Sequence, residues 1–202
     1  MKKILFLLVI CLPAASIDAQ LNLNLGLKAG LNFANITSTA GFSNSSRTGH
    51  MVGGYIAPKA KKIFGFRSEI ILSRQGYDYK TNTNTGNVNL DYLMLPQLLT
   101  INLGKRIQLH AGGQIAFLLN ANVDSTGGNT NNGLLDYFNR FDYAAAGGIE
   151  IFPISGFFVG GRINISFNSI IEEPPVGGNW PSYIPRLNAK NNVVQLYAGW
   201  RF

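Results

Sequence analysis

The sequence contains little charge and almost no cysteine. Charged residues make up only 13% of the 202 residues, against roughly a quarter in a typical soluble protein. A chain with so few charges is a poor candidate for a soluble enzyme, whose surface is covered by them. The single cysteine, Cys11, lies near the start of the chain. The rest of the chain therefore has no thiol for a disulfide or for cysteine chemistry.

Long apolar runs are also missing. No stretch approaches the 18 uninterrupted apolar residues of a transmembrane helix. The apolar run at 4–12 would span only about 14 Å as a helix, less than half of the hydrocarbon core. Lys2 and Lys3 precede this run and Ala19 follows a short exit segment, which is the pattern of a cleaved signal peptide. We predict that residues 1–19 are a signal peptide and that residues 20–202 form one exported domain.

The dominant pattern after residue 20 is a period of two. Between residues 21 and 33, leucines, an alanine and a phenylalanine alternate with Asn, Gly and Lys. Alternate side chains of a strand point to opposite faces, and a strand of this length can cross a bilayer when tilted. The same alternation returns at 107–120, 157–168 and 194–202, and in weaker form at 48–57, 63–79, 88–103 and 141–152. This predicts eight strands; in 88–103 leucines occupy both parities, so its faces stay unassigned.

The connections between these strands differ in length. Those near 34–47, 80–87, 120–140 and 168–191 are long and rich in Asn, Ser, Thr and Gly, whereas 58–62, 104–106 and 153–156 are short. Strict alternation of long and short connections indicates an up-and-down barrel with both termini on one side. We predict an all-β protein: an eight-stranded antiparallel up-and-down transmembrane β-barrel in the bacterial outer membrane, with periplasmic termini and contact with outer-membrane lipid.

A soluble eight-stranded barrel is the alternative, and it would turn the charged face outward instead. The last strand favours the membrane barrel. Its aromatic residues Tyr197, Trp200 and Phe202 resemble the terminal signal that the barrel assembly machinery reads, so this machinery is an expected partner during biogenesis.

Several charged residues share the polar face of these strands. They are Arg67, Glu69, Asp142, Glu150 and Arg162. An eight-stranded barrel is only wide enough for its side chains to fill, so charges inside it should be paired. We predict that these five residues form a charge network in the lumen. Counting outward from the short turn at 153–156, Glu150 and Arg162 should lie opposite each other as a pair.

No motif for chemistry stands out. The chain has two histidines, His50 and His110, and Ser43, Ser45 and Ser46 are near His50 in sequence, but no spacing forms a recognisable triad. The net charge is +7, yet the basic residues are scattered, apart from a short run at 59–62. We expect no catalytic residue, no cofactor, no bound metal and no nucleic-acid partner.

Two polar connections contain clusters of apolar side chains. The first comprises Leu134, Leu135, Tyr137 and Phe138, and the second Trp180 and Tyr183. Apolar groups in polar loops are candidate contacts for an outer-membrane protein partner. Capping the barrel mouth and lying in the lipid interface are the alternatives.

Six segments resemble the PorT-like family of small outer-membrane barrel proteins. They are 26–32, 66–76, 92–96, 109–113, 161–164 and 197–202. The resemblance implies a small outer-membrane barrel over the whole mature chain and does not specify an activity. The function expected is therefore non-catalytic: a barrel with a filled lumen whose surface loops serve a structural, binding or accessory role. A lipid-modifying enzyme, a narrow channel and a component of a protein-secretion apparatus are the alternatives.

Overall fold

Eight long strands account for most of the described chain in a computed structural model. The structure describes residues 23–37, 44–58, 63–80, 85–125, 131–132, 134–172, 184 and 189–202. The strands are β1 (Leu23–Thr37), β2 (Asn44–Pro58), β3 (Phe64–Lys80), β4 (Thr85–Leu103), β5 (Ile107–Ser125), β6 (Phe141–Ile151), β7 (Phe157–Ser166) and β8 (Lys190–Arg201). A two-residue strand, Asn131–Asn132, pairs with β5, and a short 3₁₀ helix covers Leu134–Tyr137. Within the described ranges, no helix is long and apolar enough to cross a membrane.

Each strand pairs with its neighbour in the chain, always antiparallel, and β1 also pairs with β8. The sheet is therefore closed, which removes the exposed strand edges that would otherwise need protection. This confirms the predicted eight-stranded antiparallel up-and-down barrel. The predicted signal peptide lies outside the described residues.

The two faces of the strands separate apolar from charged side chains. Outward positions are apolar: Leu25 is 51% exposed and Ile163 54% exposed. Inward positions hold the charges: Lys28, Glu69 and Arg162 are each at most 3% exposed. A soluble barrel would have the opposite arrangement, so that alternative is wrong. The outward face forms a belt suited to lipid.

The faces of β4, left unassigned by the sequence, are decided by its two neighbours. Leu98 points into the lumen and is fully buried, whereas Leu99 points outward and is 68% exposed. Leucines lie on both faces because this part of the lumen is itself apolar. Parity alone therefore could not identify the inner face.

The strands extend beyond the predicted boundaries at the end opposite the short turns. Only residues 81–84 separate β3 from β4, compared with 59–63 between β2 and β3. The prediction of a long connection at 80–87 is therefore wrong. The polar residues at this end of the two strands are opposite each other in the antiparallel ladder, as Lys80 is opposite Thr85. Such pairing satisfies their backbone groups despite low strand propensity.

A bulge changes the parity of β5. Asp91 on β4 is opposite Asn120, whereas the next residue, Tyr92, is opposite Leu118, so Leu119 is the extra residue. Asn120 therefore turns outward and donates a hydrogen bond to Asp91, whereas uninterrupted alternation along 107–120 would place it on the lumen face with Gln114. A bulge adds one residue on one strand and shifts all later side chains to the other face.

An ion pair marks the upper edge of the lipid-facing belt on β3 and β4. Arg74 follows the outward-facing Leu72, and its Nε and Nη2 donate hydrogen bonds to the carboxylate of Asp91 at 2.7 and 3.0 Å. These hydrogen bonds lower the pKa of Asp91 below its usual value. The outward-facing residues beyond this pair, such as Asp78 and Asn87, are polar, so this end of the hairpin lies outside the hydrocarbon.

Candidate functional site

A buried cluster of charged and polar side chains crosses the lumen; we call it the charged plug. Its members are Lys28 on β1, Arg67 and Glu69 on β3, His110 on β5, Glu150 on β6, Arg162 on β7 and Tyr197 on β8. None is more than 5% exposed. Six of the eight strands therefore contribute to one cluster, which exists only when the barrel is closed.

Glu69 is the centre of the plug. Its Oε2 accepts a hydrogen bond from Lys28 Nζ at 2.7 Å. Arg162 binds the same carboxylate with both terminal nitrogens, each at 2.8 Å. Arg67 Nε lies 3.0 Å from Oε1 as a third ion-pair partner. One carboxylate thus interacts with three cations.

Glu150 forms the second centre. Arg67 donates to it from both terminal nitrogens, at 2.7 and 2.9 Å. The Tyr197 hydroxyl donates to Oε1 at 2.9 Å. Bidentate pairs between arginine and a carboxylate are among the stronger hydrogen-bonded contacts and hold both side chains in one orientation. Arg67 therefore joins the two carboxylates into one network.

The plug contains three cations and two carboxylates, and aromatic rings partly offset the excess positive charge. Lys28 Nζ lies 4.5 Å from the ring centroid of Tyr197, and the Arg67 guanidinium lies 4.7 Å from that of Tyr55. The negative face of an aromatic ring attracts a cation at this range, most strongly where water is excluded.

His110 belongs to the plug and not to a catalytic pair. Its Nε2 accepts a hydrogen bond from Arg162 Nε at 3.2 Å, which assigns the proton of the neutral ring to Nδ1. The other histidine, His50, faces outward on β2. The hydroxyl of Ser46 donates to the backbone oxygen of Ala34 at 2.9 Å. Ser43 lies outside the described residues.

The structure brings together four of the five residues predicted for the network. These are Arg67, Glu69, Glu150 and Arg162. The inclusion of Asp142 is wrong, because it lies eight residues from Glu150 along β6, about 26 Å at the usual rise per residue. The structure adds Lys28 and His110 to the network. Their parity in the sequence already places both on the same polar face.

The predicted pairing of Glu150 with Arg162 is also wrong. On the two strands Glu150 is opposite Gly160, and Arg162 is opposite Gly148. The register is therefore offset by two residues from the one expected. Because the two glycines have no side chain, neighbouring side chains pack directly against their backbone. A Cβ on Gly160 would be 2.7 Å from the Tyr197 ring and 2.8 Å from Glu150 Cγ. Both charged side chains reach across the lumen to β3 instead.

A second, uncharged layer lies above the plug, further from the short turns. The amide nitrogen of Asn32 donates to Ser73 Oγ at 2.8 Å, and Gln195 donates to Asn32 Oδ1 at 3.0 Å. Gln75 also donates to Ser73 Oγ, at 2.8 Å. These side chains span the lumen from β8 through β1 to β3.

Apolar residues of the connections cover the lumen at its outer end. We call this group the cap; it consists of Phe138, Ile170, Ile171 and Ile184, none more than 5% exposed. Phe138 and Ile171 form a backbone bridge, which links two different connections. The cap residues share one buried apolar cluster with inward side chains such as Tyr77 and Leu90.

The cap includes one of the predicted loop contacts. Phe138 is fully buried, and Leu135 and Tyr137 are partly buried against the same cluster. Of the roles left open for this segment, covering the mouth is the one that these positions support. Leu134 begins the 3₁₀ helix, and Trp180 and Tyr183 lie outside the described residues.

The three aromatic residues of the terminal strand face different ways. Trp200 and Phe202 point outward and are 45% and 69% exposed, whereas Tyr197 is 5% exposed inside the charged plug. Trp200 packs against Gly156 in the short turn after β6, where a positive φ of 85° favours glycine.

The lumen opens at the end with the short turns. A cavity of about 800 Å³ lies there, with Arg67 and Tyr55 among its lining residues. Its other basic side chains are Lys105, Arg106 and Arg201, and the Arg201 guanidinium stacks over Phe152 at 4.3 Å. The charged plug therefore separates this cavity from the upper lumen.

Residues 18–172 match the family model for the outer membrane protein beta-barrel domain. The chain belongs to this family. Together with the outward apolar belt, membership places the protein in the bacterial outer membrane. No curated protein sequence matches the chain.

Solved structures that share the fold include those of three other outer-membrane proteins. One is Ail, the attachment invasion locus protein of Yersinia pestis, in complex with the heparin analogue sucrose octasulfate (TM-score 0.53, 12% identity, 90% of this chain and 99% of that chain). Another is Neisserial surface protein A (TM-score 0.53, 11% identity, 88% and 97%). The third is OprG from Pseudomonas aeruginosa (TM-score 0.52, 12% identity, 89% and 95%). Identities this low show a common fold alone.

Proposed function

We propose that this protein is a closed, non-catalytic barrel that presents its outer connections to a partner at the bacterial surface. The observation that carries the proposal is that the lumen is filled at three levels: the charged plug, the second, uncharged layer above it and the apolar cap. Because the lumen is blocked at these levels, contacts at the cell surface must be made by the outer connections.

The charged plug is well suited to closing the barrel. A solute could pass only by displacing Glu69 and Glu150 from their bidentate arginine partners. Separating a buried charge from its partner typically costs about 3–5 kcal/mol. The cap adds a second barrier at the outer mouth, because Phe138 and Ile170 would have to leave an apolar cluster.

The polar groups that could support catalysis are engaged elsewhere. His110 accepts from Arg162, and Ser46 donates to a backbone carbonyl. A lipid-modifying reaction needs a nucleophile in contact with a base near the outer rim. Within the described ranges, neither histidine has such a contact.

The described charges at the outer end of the barrel balance, which favours a partner whose contacting surface is also close to neutral. Its described charged residues are five cations and five carboxylates: Arg47, Arg74, Lys80, Arg140 and Lys190, and Asp78, Asp91, Asp124, Asp136 and Glu172. Three of these cations, Arg47, Arg74 and Arg140, are already paired with acids. Ail was solved with a heparin analogue, but the balance of charge here does not favour a polyanion. We propose a protein partner in the outer membrane or at the surface.

We propose that the short turns and both termini face the periplasm. At the opposite end, the connections at 126–140 and 167–189 are much longer than those at 104–106 and 152–156. Outer-membrane barrels have their longer connections on the outside of the cell. We further propose that residues 1–19 are removed on export and that Tyr197, Trp200 and Phe202 contribute to recognition by the assembly machinery. We also propose that, within its family, the chain is PorT-like. Intact-mass measurement of membrane-extracted protein tests the cleavage.

Planar-bilayer recording tests closure. The purified protein should show no steady conductance. Reproducible openings of the unmodified protein would overturn the proposal in favour of a channel. Crosslinking from single cysteines placed in 134–140 on intact cells tests the partner; a matched cysteine at Lys105, on the periplasmic side, should not give the same product.

A further inference from the structure

A second buried polar site lies in the upper lumen, separate from the charged plug. We call it the Asp142 pocket; its polar lining consists of Gln75, Tyr92, Gln114, Asp142, Asn164, Ser166 and Asn191. Each of these side chains is at most 6% exposed. The small inward residues Ala116 and Ala144 also line it and leave the space open. The cavity is about 10 Å³, room for about one sphere the size of a water molecule.

Several polar atoms of the residues around this cavity have no hydrogen-bond partner. Asp142 Oδ2 accepts a hydrogen bond from Ser166 Oγ at 2.6 Å, but Oδ1 has no hydrogen-bond partner. The same holds for the amide oxygens of Gln114, Asn164 and Asn191. The unpartnered donors are fewer: the Asn164 amide nitrogen and the Tyr92 hydroxyl. Four acceptor oxygens, one of them a carboxylate, therefore outnumber the donors.

The charge of Asp142 has no counter-charge. No cation lies within 4 Å of its carboxylate among the described residues. The inward cation nearest along the neighbouring strand is Arg162, which already donates both terminal nitrogens to Glu69 and its Nε to His110. A buried charge without a partner is expensive, and in native structures such groups are paired or bind an ion.

We propose that the Asp142 pocket binds one dehydrated monovalent cation of about the size of Na⁺. The carboxylate supplies the neutralising charge, and the amide oxygens of Gln114, Asn164 and Asn191 supply neutral ligands. Oxygen donors are the ligands that hard cations prefer. One carboxylate balances one positive charge, which favours a monovalent over a divalent ion.

A water molecule would fit the space but not the hydrogen-bonding pattern. Water has two protons to donate, so one water would satisfy at most two of the four unpartnered acceptor oxygens that belong to the lining residues. A water would also leave the carboxylate without compensation. A cation takes the carboxylate and neutral amide oxygens as ligands together, and it compensates the negative charge of Asp142.

The test is the dependence of stability on the cation present during folding. The full barrel is refolded into detergent at constant ionic strength, with Na⁺ replaced stepwise by N-methyl-D-glucamine, and the unfolding equilibrium is followed by heat-modified gel mobility. Above the dissociation constant, each tenfold rise in Na⁺ should lower the unfolding constant about tenfold, because one bound ion is released per molecule unfolded. Asp142→Asn should abolish this dependence. Asp91→Asn, which removes a carboxylate at the outer rim, should retain it.

A crystal structure supplies a readout that does not depend on a variant folding. A bound ion would lie at coordination distance from Asp142 Oδ1, shorter than the roughly 2.7 Å of a water hydrogen bond. A water at hydrogen-bond distance, or identical stability in Na⁺ and N-methyl-D-glucamine, overturns the proposal. Stabilisation by micromolar Ca²⁺ would also overturn it, in favour of a divalent site. None of these outcomes bears on whether the barrel is closed.

Discussion

Replacing Glu69 with Gln is expected to destabilise the barrel more than replacing its partner Arg162 with Met. The two residues share a bidentate ion pair, so a simple pair would lose the same interaction in both cases. The plug is not a simple pair. Glu69 has three cationic partners, whereas Arg162 has Glu69 as its one carboxylate partner among the described residues.

The magnitudes follow from the charges left behind. Glu69→Gln leaves three cations and one carboxylate in the plug, a net charge of +2 in place of +1. We expect a loss of about 3–5 kcal/mol, the range for breaking a buried pair from one side. Arg162→Met leaves two cations and two carboxylates, and Glu69 keeps Lys28 and Arg67. This loss should be below about 3 kcal/mol.

A double-mutant cycle on denaturation midpoints, with heat-modified gel mobility as a folding check, measures the coupling. For Glu69→Gln with Arg162→Met we expect a coupling free energy toward the upper end of roughly 0.5–3 kcal/mol. The matched control is Glu150→Gln with Arg162→Met. Glu150 and Arg162 share no hydrogen bond, so their coupling should be smaller, below about 1 kcal/mol.

Two results would refute this reasoning. Equal losses from the two single substitutions would show that Lys28 and Arg67 do not support Glu69. A larger coupling free energy for Glu150 with Arg162 than for Glu69 with Arg162 would show that Arg162 does not bind Glu69 across the lumen. In that case the register between β6 and β7 would also have to change.

Three further predictions concern packing, lipid contact and pH. Gly160→Ala should lower the free energy of unfolding by about 1–3 kcal/mol, because the added Cβ would overlap side chains of the charged plug. The control Gly161→Ala should be tolerated, because the nearest side-chain atom would lie 3.5 Å from its Cβ. Similar denaturation midpoints for the two variants would contradict this prediction. Ile163→Arg should lower the free energy of unfolding in a bilayer by about 2–4 kcal/mol if residue 163 lies near the midplane, whereas Ile163→Val should change it little. Urea titrations of the protein refolded into vesicles measure both changes. Asp91→Asn should cost under about 1 kcal/mol at neutral pH. The pKa of Asp91 is lowered in the folded protein. Its contribution to the free energy of unfolding is therefore present above about pH 4 and is lost as the pH falls through the folded pKa. The denaturation midpoints of the variant and the unmodified protein should thus converge in acid.

The barrel itself was predictable because the membrane imposes a period on the sequence. A strand between lipid and a filled lumen must alternate, and the alternation at 21–33, 157–168 and 194–202 is regular enough to identify both faces. The faces of a strand could not be predicted where the inner face is apolar too, because the two faces then have the same composition. In β4 the lumen is apolar as well, so Leu98 and Leu99 look equivalent in sequence although only the latter faces lipid.

The polar strand ends beyond the lipid belt were missed for a related reason. Residues such as Thr85 and Asn87 have the composition of a loop, and they are strands because a neighbour supplies the hydrogen bonds. Strand pairing is a property of two segments at once. The single-residue bulge at Leu119 is likewise invisible in one strand and becomes evident only against its partner.

The sequence by itself determined that Arg67, Glu69, Glu150 and Arg162 share the inside of the barrel, because parity depends only on position along a strand. The tertiary structure alone decided their partners. The pairs join β3 to β6 and β3 to β7, strands that are not neighbours in the sheet, and they meet only because the closed barrel is narrow. A register offset of two residues keeps every side chain on its face, so it preserves the sequence pattern. It nevertheless places Glu150 and Arg162 opposite glycines, and that changes which carboxylate each arginine binds.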